Sequence, residues 1–94
     1  MHEPGNDGGR FLMQRDGRSV AELVYTGAGD VVTLDHTEVD PSMRGTGAGK
    51  TLIEEAVQWA RANHKRFVVR CPYAQSVFAK TPTYGDVVEA GRRG

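Results

Sequence analysis

Between Arg10 and Val39 the apolar residues follow a period near two; beyond Gly47 the spacing lengthens to three and four. The first period belongs to strands and the second to a helix. Arg10 to Arg15 predicts a short strand, and Asp16-Gly17 a hairpin turn, because Gly takes positive φ without steric penalty. Ser19 to Thr26 predicts the returning strand, with Val20 and Val24 on one side and Ala21, Leu23 and Tyr25 on the other. After a turn at Gly27-Ala28-Gly29-Asp30, Val31 to Val39 predicts a third strand. Its alternation groups Val32, Leu34, His36 and Glu38 on one face and Val31, Thr33, Asp35, Thr37 and Val39 on the other.

Past Pro41 the pattern changes. Leu52, Ile53, Ala56, Val57 and Ala60 are spaced for one face of an amphipathic helix running from Gly47 to Asn63, with Glu54, Glu55, Gln58 and Arg61 on the outer side. Arg66 to Cys71 predicts a strand, stopped by Pro72, and Ala74 to Lys80 a short helix ending before Pro82. No pattern assigns the remaining stretch, residues 81–88. The unit from Val31 to Cys71 has the length of a β-α-β crossover, which brings its strands parallel. The expected class is α/β (α+β): a mixed sheet with an N-terminal antiparallel hairpin and one crossover. A ligand belongs near the carboxyl ends of the parallel strands.

Length and composition narrow this to one domain of 94 residues. Residues 1–9 carry Gly and Pro and little that is apolar, so they read as a flexible tail; 10–88 form the domain, and 89–94 a second tail. Twelve basic residues balance twelve acidic ones, which argues against a nucleic-acid binder with a basic face. One cysteine, Cys71, excludes a disulfide framework within the chain. With three scattered histidines it also argues against a structural zinc site. A lone thiol fits a reducing cytoplasm. The polar, Gly-rich start reads as no signal peptide, and no apolar run reaches the ~20 residues of a membrane helix.

The most informative stretch is Arg44-Gly45-Thr46-Gly47-Ala48-Gly49-Lys50, entering the predicted helix. The first helical turn presents amide N–H groups without intrahelical partners, and the peptide dipoles add positive potential there. Gly allows close approach to the backbone, and Arg44 and Lys50 add charge, so the loop reads as an anion site. A phosphate loop of nucleotide triphosphatases ends in Gly-Lys-Thr as here, but requires Gly at position 44, where Arg stands. A dinucleotide fingerprint starting at Gly47 requires Gly or Ala at position 52, where Leu stands.

Arg44-x-x-Gly47-x-Gly49, between a strand and a helix, resembles the pyrophosphate-binding motif of the GCN5-related N-acetyltransferases (the GNAT superfamily). His36-Thr37-Glu38-Val39 before the loop and Cys71-Pro72-Tyr73 after the next strand resemble its small single-domain branch, over residues 10–88. The resemblance implies acetyl-CoA or coenzyme A as cosubstrate, its pyrophosphate held by backbone amides from Arg44 to Lys50. It implies main-chain pairing of the pantetheine arm around Glu38-Val39-Asp40, between parallel strands that splay apart. The thioester would then point toward His36 and Cys71. Set against that superfamily, this sequence is expected to lack the leading helices that usually wall the acceptor site.

Acetyl transfer to an amine requires a base for the amine proton, an N–H donor for the thioester oxygen, and a proton for the leaving thiolate. Cys71 is a candidate nucleophile or a small buried residue that packs. His36 is a candidate base or a histidine bonded to a neighbour. Glu38 is a second candidate base or a solvated carboxylate. Tyr73 and Tyr84 are candidate thiolate acids or packing aromatics. Three functions stay open: an N-acetyltransferase acting on a small molecule, peptide or protein amine, a coenzyme A-binding module serving a protein partner, and an interaction domain whose loop happens to be Gly-rich.

Overall fold

The computed structural model describes residues 1–89. Strands β1 (His2–Gly5), β2 (Gly8–Arg15), β3 (Arg18–Thr26) and β4 (Val31–Val39) form an antiparallel meander. A 3-10 turn (Pro41–Met43) leads to helix α1 (Ala48–Ala62), and β5 (Arg66–Val69) returns parallel to β4. Helix α2 (Pro72–Ala79) and a 3-10 segment (Pro82–Val87) follow. The sheet order is β1-β2-β3-β4-β5, the mixed α+β sheet expected from the periodicities.

The Asp16-Gly17 turn has positive φ at both residues, 55° and 75°, which matches the twist of a two-residue hairpin. Helix α1 buries Leu52, Ile53, Ala56, Val57 and Ala60 against Phe11, Leu23, Tyr25, Leu34 and Phe67 of the sheet. Ala74 and Val77 of α2, and Val87 of the 3-10 segment, join the same core. The unassigned stretch thus completes the packing, and Val88 makes a parallel bridge to Phe67.

Two expectations change. Residues 1–9 are not a tail: they hold β1 and the start of β2. The composition argument counted apolar residues, but His2 does the anchoring. Its ring stacks on Phe11 (centroids 4.2 Å apart), meets Trp59 edge-on, and its Nε2 lies 2.6 Å from the Tyr25 hydroxyl. Pro4 is tolerated because β1 is an edge strand. At the other end, Glu89 donates its amide to the Phe67 carbonyl (2.9 Å), so it extends the sheet edge. The rest of the expected C-terminal tail, from residue 90 on, lies outside the described residues.

The second change concerns β4. Its register on β3 pairs Val24 with His36 but Tyr25 with Leu34, leaving Asp35 as an extra residue. This bulge reverses the faces that simple alternation assigns. Val32 and Leu34 point into the core, and beyond Asp35 it is Thr37 and Val39 that are half-buried, while His36 and Glu38 are exposed on the opposite face. His36 therefore does not share a face with Leu34.

Candidate active site

Strands β4 and β5 pair only from Val31–Arg66 to Leu34–Val69. The Arg70 and Cys71 amides both donate to the Leu34 carbonyl (3.1 and 3.2 Å), and the chain then turns into α2. Among the described residues β4 runs on to Val39 without a strand on that side, so the sheet opens into a V whose apex is Leu34. A cleft of about 310 Å³ occupies this opening, lined by Thr37, Val39, Met43, Arg44, Gly45, Gly47, Ala48, Gly49 and Tyr73.

The loop at its mouth is built locally. Asp40 caps the 3-10 turn, accepting from the Ser42 amide (2.9 Å) and hydroxyl (2.7 Å), and these bonds hold its carboxyl below the ordinary range. Buried Met43 pins the turn to the core. Gly45 and Gly47 then take φ of +81° and +83°, which favours Gly. Gly47 caps α1 without a side-chain bond, and the first helical bond runs from the Thr51 amide to the Gly47 carbonyl (2.9 Å). The Ala48, Gly49 and Lys50 amides precede it and face outward from the helix end.

The expected anion cradle is thereby narrowed. The Arg44 and Thr46 amides are taken by turns to Pro41 and Met43 (3.3 and 3.2 Å). The Thr46 hydroxyl bonds Met43, and the Thr51 hydroxyl bonds Gly47 (3.1 Å). The remaining donors are the backbone of Gly45, Gly47 and the first turn of α1, with the exposed Arg44 and Lys50 side chains beside them.

Gly49 differs from the other two glycines. Its φ is ordinary, but a Cβ there would lie 2.7–2.9 Å from ring atoms of Tyr73. Gly49 makes room for Tyr73, whereas Gly45 and Gly47 have open space around the missing Cβ. Tyr73 is 40% exposed, and its ring walls the cleft.

Cys71 sits at the apex. It is 2% exposed, and its Sγ lies 3.3 Å from Thr37 Oγ1. Thr37 lines the cleft and Cys71 does not, so the thiol lies behind Thr37. Thr37 was not singled out in the sequence; only the bulge at Asp35 turns it toward the cleft. His36 and Glu38 lie across the sheet, and Tyr84 packs edge-on against Phe78 (5.5 Å), away from the cleft lining. The structure brings together Val39, Arg44, the glycine loop and Tyr73, keeps Cys71 just beneath them, and separates His36 and Glu38 from Cys71. On the far face a groove of about 560 Å³ is lined by Arg10, Glu22, Glu38 and Asp40, and shares Thr37, Val39 and Arg44 with the cleft.

The sheet thus splits after four paired rungs, and a helix start capped by a glycine stands at the opening. Residues 10–87 match the GCN5-related N-acetyl-transferase family, and the chain belongs to that family. A search of curated proteins finds no match. Among solved structures, a GCN5-like protein from Staphylococcus aureus is 26% identical, with a TM-score of 0.71 over 95% of this chain and 87% of that one. The ribosomal-protein-S18-alanine N-acetyltransferase of Escherichia coli is 18% identical, with a TM-score of 0.69 over 81% of this chain and 52% of that one. An aminoglycoside N-acetyltransferase in complex with CoA is 19% identical, with a TM-score of 0.60 over 96% of this chain and 74% of that one. This chain thus spans about half the length of the Escherichia coli enzyme.

Proposed function

We propose that this chain is a minimal acetyl-CoA-dependent N-acetyltransferase of the cytoplasm. The observation that carries the reading is one continuous cleft. It begins at the donor-rich start of α1, follows the unpaired edge of β4, and ends at Thr37 in the apex of the split sheet. A pyrophosphate fits the first part, and an extended amide-bearing arm the second, by adding main-chain pairing to a free strand edge. The CoA complex of the structurally similar aminoglycoside enzyme supports this ligand.

In this reading the amine attacks the thioester carbonyl carbon, the C–S bond breaks, and the acetyl group passes directly to nitrogen. The amine arrives from the far groove, where Glu38, exposed and free of ion pairs among the described residues, accepts its proton. His36 on the same face is the second candidate base. Tyr73 on the cleft side returns a proton to the departing thiolate. Cys71, covered by Thr37, packs the apex rather than carrying the acetyl group. The alternative function, a coenzyme A-binding module acting through a protein partner, is favoured by one observation: the candidate bases lie on an open sheet face.

Titration calorimetry with acetyl-CoA, and with ATP as control, tests the reading. Acetyl-CoA should bind and ATP should not, and Arg44→Glu should weaken acetyl-CoA binding at least about tenfold, the loss of a charge-assisted contact. Unchanged binding by Arg44→Glu sinks the loop assignment. Turnover with simple primary amines separates the enzyme from the binding module.

A further inference from the structure

We infer that Thr37, backed by Cys71, sets the length of acyl group that the cleft accepts, so that the protein selects acetyl over longer acyl thioesters. The inference rests on the coenzyme A reading above and narrows its donor. The cleft follows β4 beyond its pairing with β5 and ends where the two strands meet, at Leu34. Of the β4 residues that line it, Thr37 stands nearest that end. Behind the Thr37 hydroxyl lies the Cys71 sulfur, 3.3 Å away, a contact with no room for a methyl group between.

Neither residue can withdraw from a longer chain. Thr37 is held opposite Leu23 by the pairing of β4 with β3, and the Cys71 amide donates to the Leu34 carbonyl (3.2 Å). Thr37 is β-branched, so a hydroxyl held on the sulfur also fixes the methyl on the same Cβ. Cys71 is itself buried, and Leu34 and Ala74 beside it in the core are fully buried. A core packed in this way takes up an added methylene only with strain. The bulge at Asp35, which turns Thr37 into the cleft, thereby also places its floor.

The test reads binding and needs no amine. Calorimetry compares acetyl-CoA, propionyl-CoA and butyryl-CoA on the wild type, Thr37→Ala, Thr37→Val and Cys71→Ala, and coenzyme A without an acyl group reports the rest of the site. The wild type should bind acetyl-CoA about tenfold more tightly than propionyl-CoA, the discrimination that one methylene allows, and butyryl-CoA more weakly still. Thr37→Ala removes two heavy atoms, as many as butyryl adds to acetyl, and should bring the three thioesters within about threefold of one another. Cys71→Ala should relax the preference part of the way, because Thr37 can settle into the vacated space. Thr37→Val has nearly the same shape and should keep the preference. Equal affinity of the wild type for the three thioesters overturns the floor while leaving the coenzyme A reading intact: the chain end would then run into the far groove that Thr37 also lines. A preference that survives Thr37→Ala overturns it as well, and one lost in Thr37→Val overturns its steric basis. Folded protein that binds neither the thioesters nor coenzyme A overturns both readings.

Discussion

The Tyr73 ring lies against Gly49, close enough that a Cβ on residue 49 would come within 2.7 Å of its Cε2. A glycine that looks made for phosphate is therefore also a packing residue, and it couples α1 to α2 at the cleft wall. Gly49→Ala must displace the Tyr73 ring, but that ring is 40% exposed and yields from its far end. Ala also gains ~0.5–1 kcal/mol over Gly inside a helix, so the net loss of stability should be at most about 1 kcal/mol. Urea denaturation reads the loss. The double variant Gly49→Ala with Tyr73→Ala should recover most of it, because the clashing ring is gone. Additive losses would show that Tyr73 is not the obstacle.

Gly47 fails differently when replaced. Its φ of +83° puts a side chain in the left-handed region, but among the described residues nothing lies within 4 Å of its absent Cβ. Gly47→Ala should cost about 1–2 kcal/mol of backbone strain, with no ring to relieve it. Gly47→Asn should cost less, since Asn tolerates this region better. The ordering of urea midpoints, Gly then Asn then Ala, checks the conformational origin.

Much of this architecture was legible because it rests on repeating patterns. The period of Leu52, Ile53, Ala56, Val57 and Ala60 marks α1, and two positive-φ residues at Asp16-Gly17 mark the hairpin. The loop was legible because glycines before a helix have an electrostatic meaning. What escaped depends on tertiary pairing. The extra residue at Asp35 has no local signature, since it exists only relative to β3, yet it decides that Thr37 and not His36 faces the cleft. β1 escaped because an imidazole stacked on Phe11 does what a composition count credits only to apolar residues. The role of Gly49 needed Tyr73, twenty-four residues on, to be placed beside it.

His2 makes β1 sensitive to acid. Burial among Phe11, Tyr25 and Trp59 lowers its pKa from 6.5, Glu55 opposes the shift, and the nearby terminal amine of Met1 adds to it. With the folded pKa below the unfolded one, the stabilisation is complete above pH 6.5, where both states are neutral. It declines as pH falls below that value, because the unfolded chain takes up the proton first, and it levels off once pH is below the folded pKa. Asp40 and Asp86, whose pKa values are lowered from 3.8, act in a separate window, losing their stabilisation as pH falls through the acid range. Urea midpoints at pH 8 and pH 5 should therefore fall for the wild type and change less for His2→Gln. Equal slopes in the two proteins would assign the pH dependence elsewhere.

Cys71 tests how the acetyl group travels. Its thiol is buried behind Thr37, so that in the proposed reading a thioester in the cleft reacts on the far side of a hydroxyl from the sulfur. Direct transfer makes the thiol dispensable: Cys71→Ala should lose about 1 kcal/mol of stability as a small buried group is truncated. Its kcat should remain within a few-fold of wild type once a working amine is found. A covalent route makes the opposite forecast. Loss of the nucleophile would then remove kcat by about a hundredfold or more while acetyl-CoA still binds. Mass spectrometry of wild type mixed with acetyl-CoA in the absence of amine supplies the independent reading. An added acetyl group on Cys71 that chases onto amine would overturn direct transfer, and unmodified protein with intact turnover would bear it out.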